Sequence, residues 1–314
     1  MAIFLEQISV VDAGGVRKLA MSSSPEIFDN SINAWFKDMT NYDLALMHFA
    51  FSAASELAAE MNLPEESAHW KEIGSQLPDY DLDKDGALTF AKGFPYDQSH
   101  RHFSHAMAIH PLGLLDWSQG EKSQQIIQAT LKKLKDYGPD YWTGYSYSWF
   151  GNMKARAFDG EGAAEELRTF AECFCLRNTF HVNGDQTKSG KSKFTYRPFT
   201  LEGNFAFASG IQEMLLQSHT GIVRVFPAIP AGWSDVSFDN LRAMGAFVIS
   251  AEKKAGKIVK LRVYPEQGGT LRIAFPAGSS KVSVTGNEGD VTEEAGIYTI
   301  ETRKGQWVDI KTKG

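Results

Sequence analysis

Three stretches of the sequence hold side chains able to move protons or grip a polar ligand. The first, "SHRHFSHAMAIHP" from Ser99 to Pro111, carries four of the chain's eight histidines and one arginine in otherwise apolar company. Imidazole and guanidinium offer directional hydrogen bonds to hydroxyls without adding negative charge, so the cluster suits a sugar or a carboxylate. On a helix beginning near His102, His102 and His105 stand at i and i+3 and share one face, with His100 and Arg101 just before it where a loop enters. A zinc reading of H-x-H-x2-H needs a converging carboxylate or another fourth ligand, and none follows at metal spacing. The bland alternative is that two of the four are satisfied core or hinge histidines.

The second stretch, "SSSPEIFDN", sets Glu26 after a proline and before an apolar pair; the third, "PFTLEGNFAFASG", sets Glu202 at the head of an otherwise uncharged helix. A lone carboxylate in apolar surroundings has its charged form disfavoured, which a general acid requires, unless nearby donors hold it ionised as a base requires. For Glu202, stabilisation of a helix N-terminus explains the position equally well. Beside these lies "YWTGYSYSWF", whose Trp142 and Tyr145 offer ring faces on which sugar C–H groups stack, although core packing accounts for them as readily. The turn "DLDKDGALTF" imitates a calcium loop with Asp81, Asp83 and Asp85 before Gly86. It fails at its twelfth position, where Lys92 replaces the needed bidentate glutamate, and reads as a solvated turn.

These residues need a scaffold, and composition bounds it. The chain has 314 residues, 43% of them hydrophobic and 22% charged, enough for one large core or two domains. A net charge of -6, a pI near 5.8 and no basic run argue against nucleic acid and anionic membranes. No 18-residue apolar run occurs, and Glu6 interrupts the amino terminus before an export signal forms, so the chain as written is expected neither to span a membrane nor to be exported. Its compartment stays open. Cys173 and Cys175 form no second pair and read as core thiols, and neither a metal nor another cofactor is expected.

Two textures divide the chain near Gly221. Before it, Leu44, Met47, Phe51, Ala54, Leu57 and Met61 mark one face of a long helix capped at Thr40 or Asn41. Further helices are predicted at about 64–76, 103–116, 121–136, 145–158, 160–176 and 202–217, as paired inner and outer helices. After it, "GIVRVFPAIP", "FVISAEKK", "KIVKLRVYP", "TLRIAFP", "SKVSVTG" and "IYTIETR" read as antiparallel strands, with "KKAGK" and "EQGGT" as hairpin turns. The expectation is a mainly α protein: a two-layer helical domain over 1–220 and a small antiparallel β-sandwich over 221–314.

Taken in order, "SSSPEIFDN", "TNYDLALM", "SHRHFSHAMAIHP", "GYSYSW", "FTLEGNFAFASGIQEMLLQSH" and "FPAIPAGW" resemble the later part of the family 95 glycoside hydrolases, from about Ser22 to the end of the chain. The resemblance implies an (α/α)6 barrel followed by a β-domain, and inverting hydrolysis of α-L-fucosyl or α-L-galactosyl ends without a metal. It places Glu26 at the general acid of the family's S-P-E motif. Glu202 falls at the base, where aspartate is usual, and Asn204 at the asparagine of the same motif. His100, Arg101, His102 and His105 fall in the segment that holds the sugar hydroxyls. The family's supporting N-x-N pair is absent from this chain, and about eight helices are legible where twelve are needed. The chain therefore reads as a later portion of a longer enzyme or an unusually short relative, whose exposed inner helices call for the missing part or another subunit. A relative that binds sugar without cleaving it is the alternative. A lyase using histidine and tyrosine is disfavoured by the ordered motifs.

Overall fold

The computed structural model describes residues 1–276 and 280–313. Seven α-helices precede a domain of β-strands. They are α1 (Ala2–Ile8), α2 (Asn41–Glu60), α3 (Pro64–Ser75), α4 (Glu121–Tyr137), α5 (Gly144–Arg156), α6 (Gly160–Cys173) and α7 (Glu202–Leu215). Four short strands lie among the first of these: β1 (Ser9–Val11) pairs with β2 (Arg17–Leu19), and β3 (Ser22–Ser23) with β4 (Trp35–Phe36). Local chemistry explains the helix starts. Thr40 Oγ1 accepts the Asp43 N–H at the head of α2, Pro64 opens α3, and Asp159 accepts the Gly162 N–H at the head of α6.

The helix predicted over 103–116 does not form. Only Ser104–Ala106 make a 3-10 turn, and the rest of the segment is irregular. Pro111 would stand inside that helix without an N–H and against the carbonyl four residues back, and Gly113 adopts a positive φ of 65°. The shared helical face of His102 and His105 therefore does not exist, and the two side chains go separate ways.

The chain divides into two compact units. The first comprises Met1–Ser146 with Val182–Phe199. Its cluster of Leu44, Met47, Phe51, Trp70, Ile73 and Leu77 buries α2 against α3, and Phe51 stacks on Trp70 at 6.0 Å. The predicted apolar face of α2 is only partly covered within this unit, since Leu57 is 63% and Met61 69% exposed.

The second unit comprises Tyr147–His181 and Thr200 onward. Its helical core joins Ala155, Ala163, Leu167 and Met214 of α5, α6 and α7. The strands are β5 (Leu216–Gln217), β6 (Val223–Val225), β7 (Val236–Ala243), β8 (Phe247–Lys254), β9 (Lys257–Pro265), β10 (Gly269–Ala274), β11 (Ser280–Thr285), β12 (Glu288–Glu294), β13 (Ile297–Thr302) and β14 (Val308–Lys313). They build two five-stranded sheets, ordered β12-β13-β10-β6-β5 and β11-β14-β9-β8-β7. Pairing is antiparallel apart from the parallel β6–β10 contact. Ile273, Leu271 and Ile300 of one sheet share a core with Ile249, Val263 and Ile310 of the other, as in a sandwich.

"KKAGK" is the hairpin expected of it: Ala255 and Gly256 both take positive φ between Lys254 and Lys257. "EQGGT" is not a hairpin, because β9 pairs with β8 and β14 while β10 pairs with β6 and β13. It carries the chain from one sheet to the other. Among the described residues no helix is long and apolar enough to cross a membrane.

Candidate active site

Glu26 stands where the backbone is under strain. It takes φ 58°, and Phe28, Asp29 and Asn30 follow at 48°, 54° and 56°, a left-handed run that side-chain-bearing residues rarely adopt. The turn is closed by its own side chain, since Asn30 Oδ1 accepts the Glu26 N–H at 2.9 Å. It is also held from outside: the Ser24 and Ser104 hydroxyls, both buried, lie 2.6 Å apart and join the S-P-E segment to the histidine segment.

The histidine segment closes on Glu26 from 75 residues further along. Arg101 Nη2 and His102 Nε2 both reach carboxylate oxygen Oε2, the second at 2.9 Å, while His100 Nε2 lies 3.2 Å from the Glu26 carbonyl. On its other side His100 Nδ1 lies 3.1 Å from the His102 N and 3.2 Å from the His102 carbonyl, so the ring bridges the two segments. Burial pushes the His100 pKa down. The Tyr96 hydroxyl accepts the His100 N–H at 2.9 Å and donates to the His100 carbonyl at 3.1 Å. Ser146 Oγ donates to the Arg101 carbonyl at 2.8 Å. The loop that failed to become a helix is thus fixed by side-chain hydrogen bonds to its backbone.

The electrostatics follow from these contacts. Burial pushes the Glu26 carboxyl upward, but His102 and Arg101 more than reverse it and hold the group below the ordinary carboxylate value. His102 is itself pushed down by burial, against the pull of Glu26. Near neutral pH the arrangement is an ionised Glu26 gripped by a permanent cation and an imidazole N–H.

Two of the other predicted contact residues of this unit, His105 and Trp142, are buried. His105 is 1% exposed, stacked on Tyr96 at 5.2 Å and edge-on to Phe90 at 4.6 Å, and burial takes its pKa down to about 3. Trp142 is buried too, edge-on to Phe103 at 5.1 Å, with its indole N–H donating to Tyr96. Tyr145 is half-buried. Packing took both His105 and Trp142 from the surface. The residues that the sequence reading missed are Ser24, Asn30, Tyr96 and Ser104. Position was the one signal, for Ser24, Asn30 and Ser104, which lie inside the quoted motifs; Tyr96 lies outside them.

In the second unit Glu202 is the first residue of α7, exposed, and its carboxylate accepts no hydrogen bond among the described residues. Gly203 behind it is fixed by space: a Cβ there would lie 2.5 Å from His181 Nδ1 and 2.8 Å from Phe170. The Asn204 side chain is committed to backbone, accepting from the His181 N–H at 3.0 Å and donating to the Thr179 carbonyl at 2.9 Å. Asn204 therefore anchors the entry to α7. Ser148 donates to the Gly203 carbonyl, and Asn152 Nδ2, fully buried, to the Ala206 carbonyl at 2.8 Å, so α5 grips the same turn.

The acidic turn before Gly86 has an internal answer to its charge. Lys133 Nζ pairs with Asp83 and lies 2.9 Å from Asp85. Asp81 instead accepts the Thr89 hydroxyl at 2.7 Å.

The description of the glycosyl hydrolase family 95 catalytic domain matches residues 1–215, and that of the family's C-terminal domain matches 217–310. The chain belongs to glycoside hydrolase family 95. It is 29% identical over 242 residues to alpha-L-fucosidase 2 of Arabidopsis thaliana, covering 74% of this chain and 28% of that protein. It is 27% identical over 192 residues to probable alpha-fucosidase A of Aspergillus oryzae (strain ATCC 42149 / RIB 40), covering 56% of this chain and 24% of that one. The chain thus spans about a quarter of the length of these curated relatives. A GH127 beta-L-arabinofuranosidase from Geobacillus stearothermophilus T6 superposes over 88% of this chain and 42% of its own at 12% identity, with a TM-score of 0.26, too loose to bear on the fold.

Proposed function

We propose that this chain is the later part of an inverting glycoside hydrolase that removes α-L-fucosyl or α-L-galactosyl ends from carbohydrates. In this reading the helical residues 1–220 carry the chemistry and residues 221–314 form the supporting β-domain. Glu26 is the general acid and Glu202 the base. His100, Arg101 and His102 hold the acid and the sugar hydroxyls beside it. The observation that carries the proposal is the grip on Glu26: one carboxylate oxygen held by Arg101 and His102 on a strained turn.

A general acid must hold a proton when the glycosidic oxygen arrives, and Glu26 rests ionised under its two neighbours. The working state is therefore the one in which the Glu26–His102 pair has taken up one proton. Activity then falls as pH rises through the loss of that proton. Removing the cation in Arg101→Met raises the Glu26 pKa and moves the alkaline limb of kcat/KM to higher pH, whereas an unmoved limb assigns it to another group.

A second reading, sugar binding without cleavage, draws on one observation: among the described residues the Glu202 carboxylate accepts no hydrogen bond of the kind that would hold a base in place. Proton NMR of an α-L-fucosyl glycoside incubated with the protein separates the two. Inverting hydrolysis releases β-L-fucose first. Release of the α anomer first contradicts the mechanism, and binding without release supports the second reading.

A further inference from the structure

The outer face of one β-sheet carries an aromatic pair that the sandwich core does not use. Along β9 the buried Leu261 and Val263 alternate with Arg262 and Tyr264, and along β14 the buried Val308 and Ile310 flank Asp309, so Arg262, Tyr264 and Asp309 point away from the core. The register sets Asp309 against Arg262 and brings Trp307, just before β14, beside Tyr264, whose ring it meets at 5.0 Å. The Arg262 guanidinium lies 4.5 Å over the indole, and its Nε donates to Asp309 Oδ1 at 2.7 Å. With these contacts made, 38% of Trp307 still lies in solvent. The neighbouring turn is shaped to hold it there: Gly286 takes φ 86°, and a Cβ on it would stand 2.1 Å from the Trp307 carbonyl. Polar groups around the ring remain unspent. Among the described residues the Tyr264 hydroxyl, Nη1 and Nη2 of Arg262 and Oδ2 of Asp309 make no hydrogen bond.

We infer that this face of the β-domain is a second carbohydrate site, one that uses neither glutamate and takes a neutral pyranose within a glycan chain. The C–H face of a pyranose stacks on an exposed indole, and its hydroxyls pair with the Tyr264 O–H, the guanidinium N–H groups and the carboxylate oxygen. Charge selects the class of sugar. Arg262 and Asp309 cancel, as do Arg242 and Glu266, joined Nη2 to Oε1 at 3.0 Å two residues beyond Tyr264. A face balanced in this way favours an uncharged ring over a uronate or a sulfated sugar. One exposed ring bordered by polar groups is also small for a protein partner, whose interface takes about 800 Å² from each side. A single stacked pyranose is held weakly, so the site works on polymers, where many sugars are presented to it at once.

The test is native gel electrophoresis of the full chain through soluble neutral polysaccharides, namely galactomannan, xyloglucan and mixed-linkage β-glucan, with polygalacturonate as the charged control. It reads binding without requiring turnover. At least one neutral polysaccharide slows the parent chain. Trp307→Ala weakens that apparent affinity about three- to tenfold through the lost stack, and Tyr264→Phe, which keeps the ring, about two- to tenfold through the lost hydroxyl. Trp307→Phe keeps a smaller ring and falls between Trp307→Ala and the parent; it and Tyr264→Phe carry the test if Trp307→Ala fails to fold. A parent that no neutral polysaccharide slows overturns the proposal. So does slowing by polygalacturonate alone, which marks a surface that reads charge, and so does slowing that is unchanged in all three variants, which leaves the rings a structural role only.

Discussion

The two glutamates assigned to the chemistry meet opposite surroundings, each within its own compact unit. Glu26 stands on a left-handed turn, with Arg101 and His102 drawn in from far along the chain onto one oxygen. Glu202 opens a regular helix in solvent, behind which Gly203 and Asn204 are locked to His181 and the backbone. At Glu26 the environment is made by tertiary contacts and tunes the group's ionisation. At Glu202 the helix start is local, and contacts from His181, Phe170 and α5 fix its position without reaching the carboxylate through a hydrogen bond among the described residues. An acid needs its proton affinity set, and a base that activates water needs its place set, so the contrast follows the proposed division of roles.

Activity gives the largest effect with which to break this comparison. Glu26→Gln and Glu202→Gln are each expected to lower kcat/KM by about 10²–10⁴-fold in an active preparation. A nitrophenyl leaving group, which departs without protonation, should restore much of the first loss and none of the second. Equal rescue of both variants would erase the distinction between acid and base. Insensitivity of both would show that the carboxylates are misassigned.

How far this contrast could be read in advance depends on the range of the interactions that make it. Glu202 at a helix start, the capped start of α2 at Thr40 and the β-hairpin at Ala255 and Gly256 are local, and residue types announce them. The clamp on Glu26 was legible only as two suggestive segments. Their joining through Ser24 and Ser104, and the Tyr96 hydroxyl that fixes the loop, depend on pairings that no local pattern encodes. The predicted helix over 103–116 was misjudged because its apolar content outweighed Pro111 and Gly113. With it went the placing of His105 beside a ligand. Strands β7 and β12 escaped notice because they are polar sheet edges: β12 reads "EGDVTEE", and charge on an edge strand discourages further pairing.

His105 supplies the counter-case within the same segment, and the next largest effect. Its imidazole is held neutral by burial with a pKa of about 3, against about 6.5 when unfolded. Between those values the unfolded chain binds the extra proton. The contribution is therefore complete above about pH 6.5 and shrinks by about 1.4 kcal/mol per unit as pH falls, levelling near the folded value. Urea midpoints measured across that range should decline with pH in the parent chain and more gently in His105→Gln. Parallel slopes for the two proteins would mean that His105 is accessible to protons in the folded state.

The Glu202 side of the comparison is sharpened by Gly203→Ala. The added methyl meets His181 Nδ1 at 2.5 Å and Phe170 at 2.8 Å, both inside the packed second unit, so the first turn of α7 must shift. Overpacking of this kind costs about 1–3 kcal/mol. A thermal melt reads the cost. Catalysis should suffer more than stability suggests, because the residue displaced is the proposed base. A variant as stable and as active as the parent would show that the entry to α7 is loosely held.

The smallest effect separates what Glu202 does for the fold from what it does for the reaction. A carboxylate in the first turn interacts favourably with the helix N-terminus by about 0.3–1 kcal/mol when exposed, and added salt screens it. Glu202 accepts no hydrogen bond among the described residues, so this and its charge interaction with His181 make up its expected structural contribution. Glu202→Gln should therefore lower stability by no more than that, with the difference from the parent shrinking as salt is raised. A small, salt-sensitive loss of stability beside a large loss of rate would assign Glu202 to the chemistry. A loss of several kcal/mol that salt does not touch would instead mark a buried partner for the carboxylate and remove the contrast with Glu26.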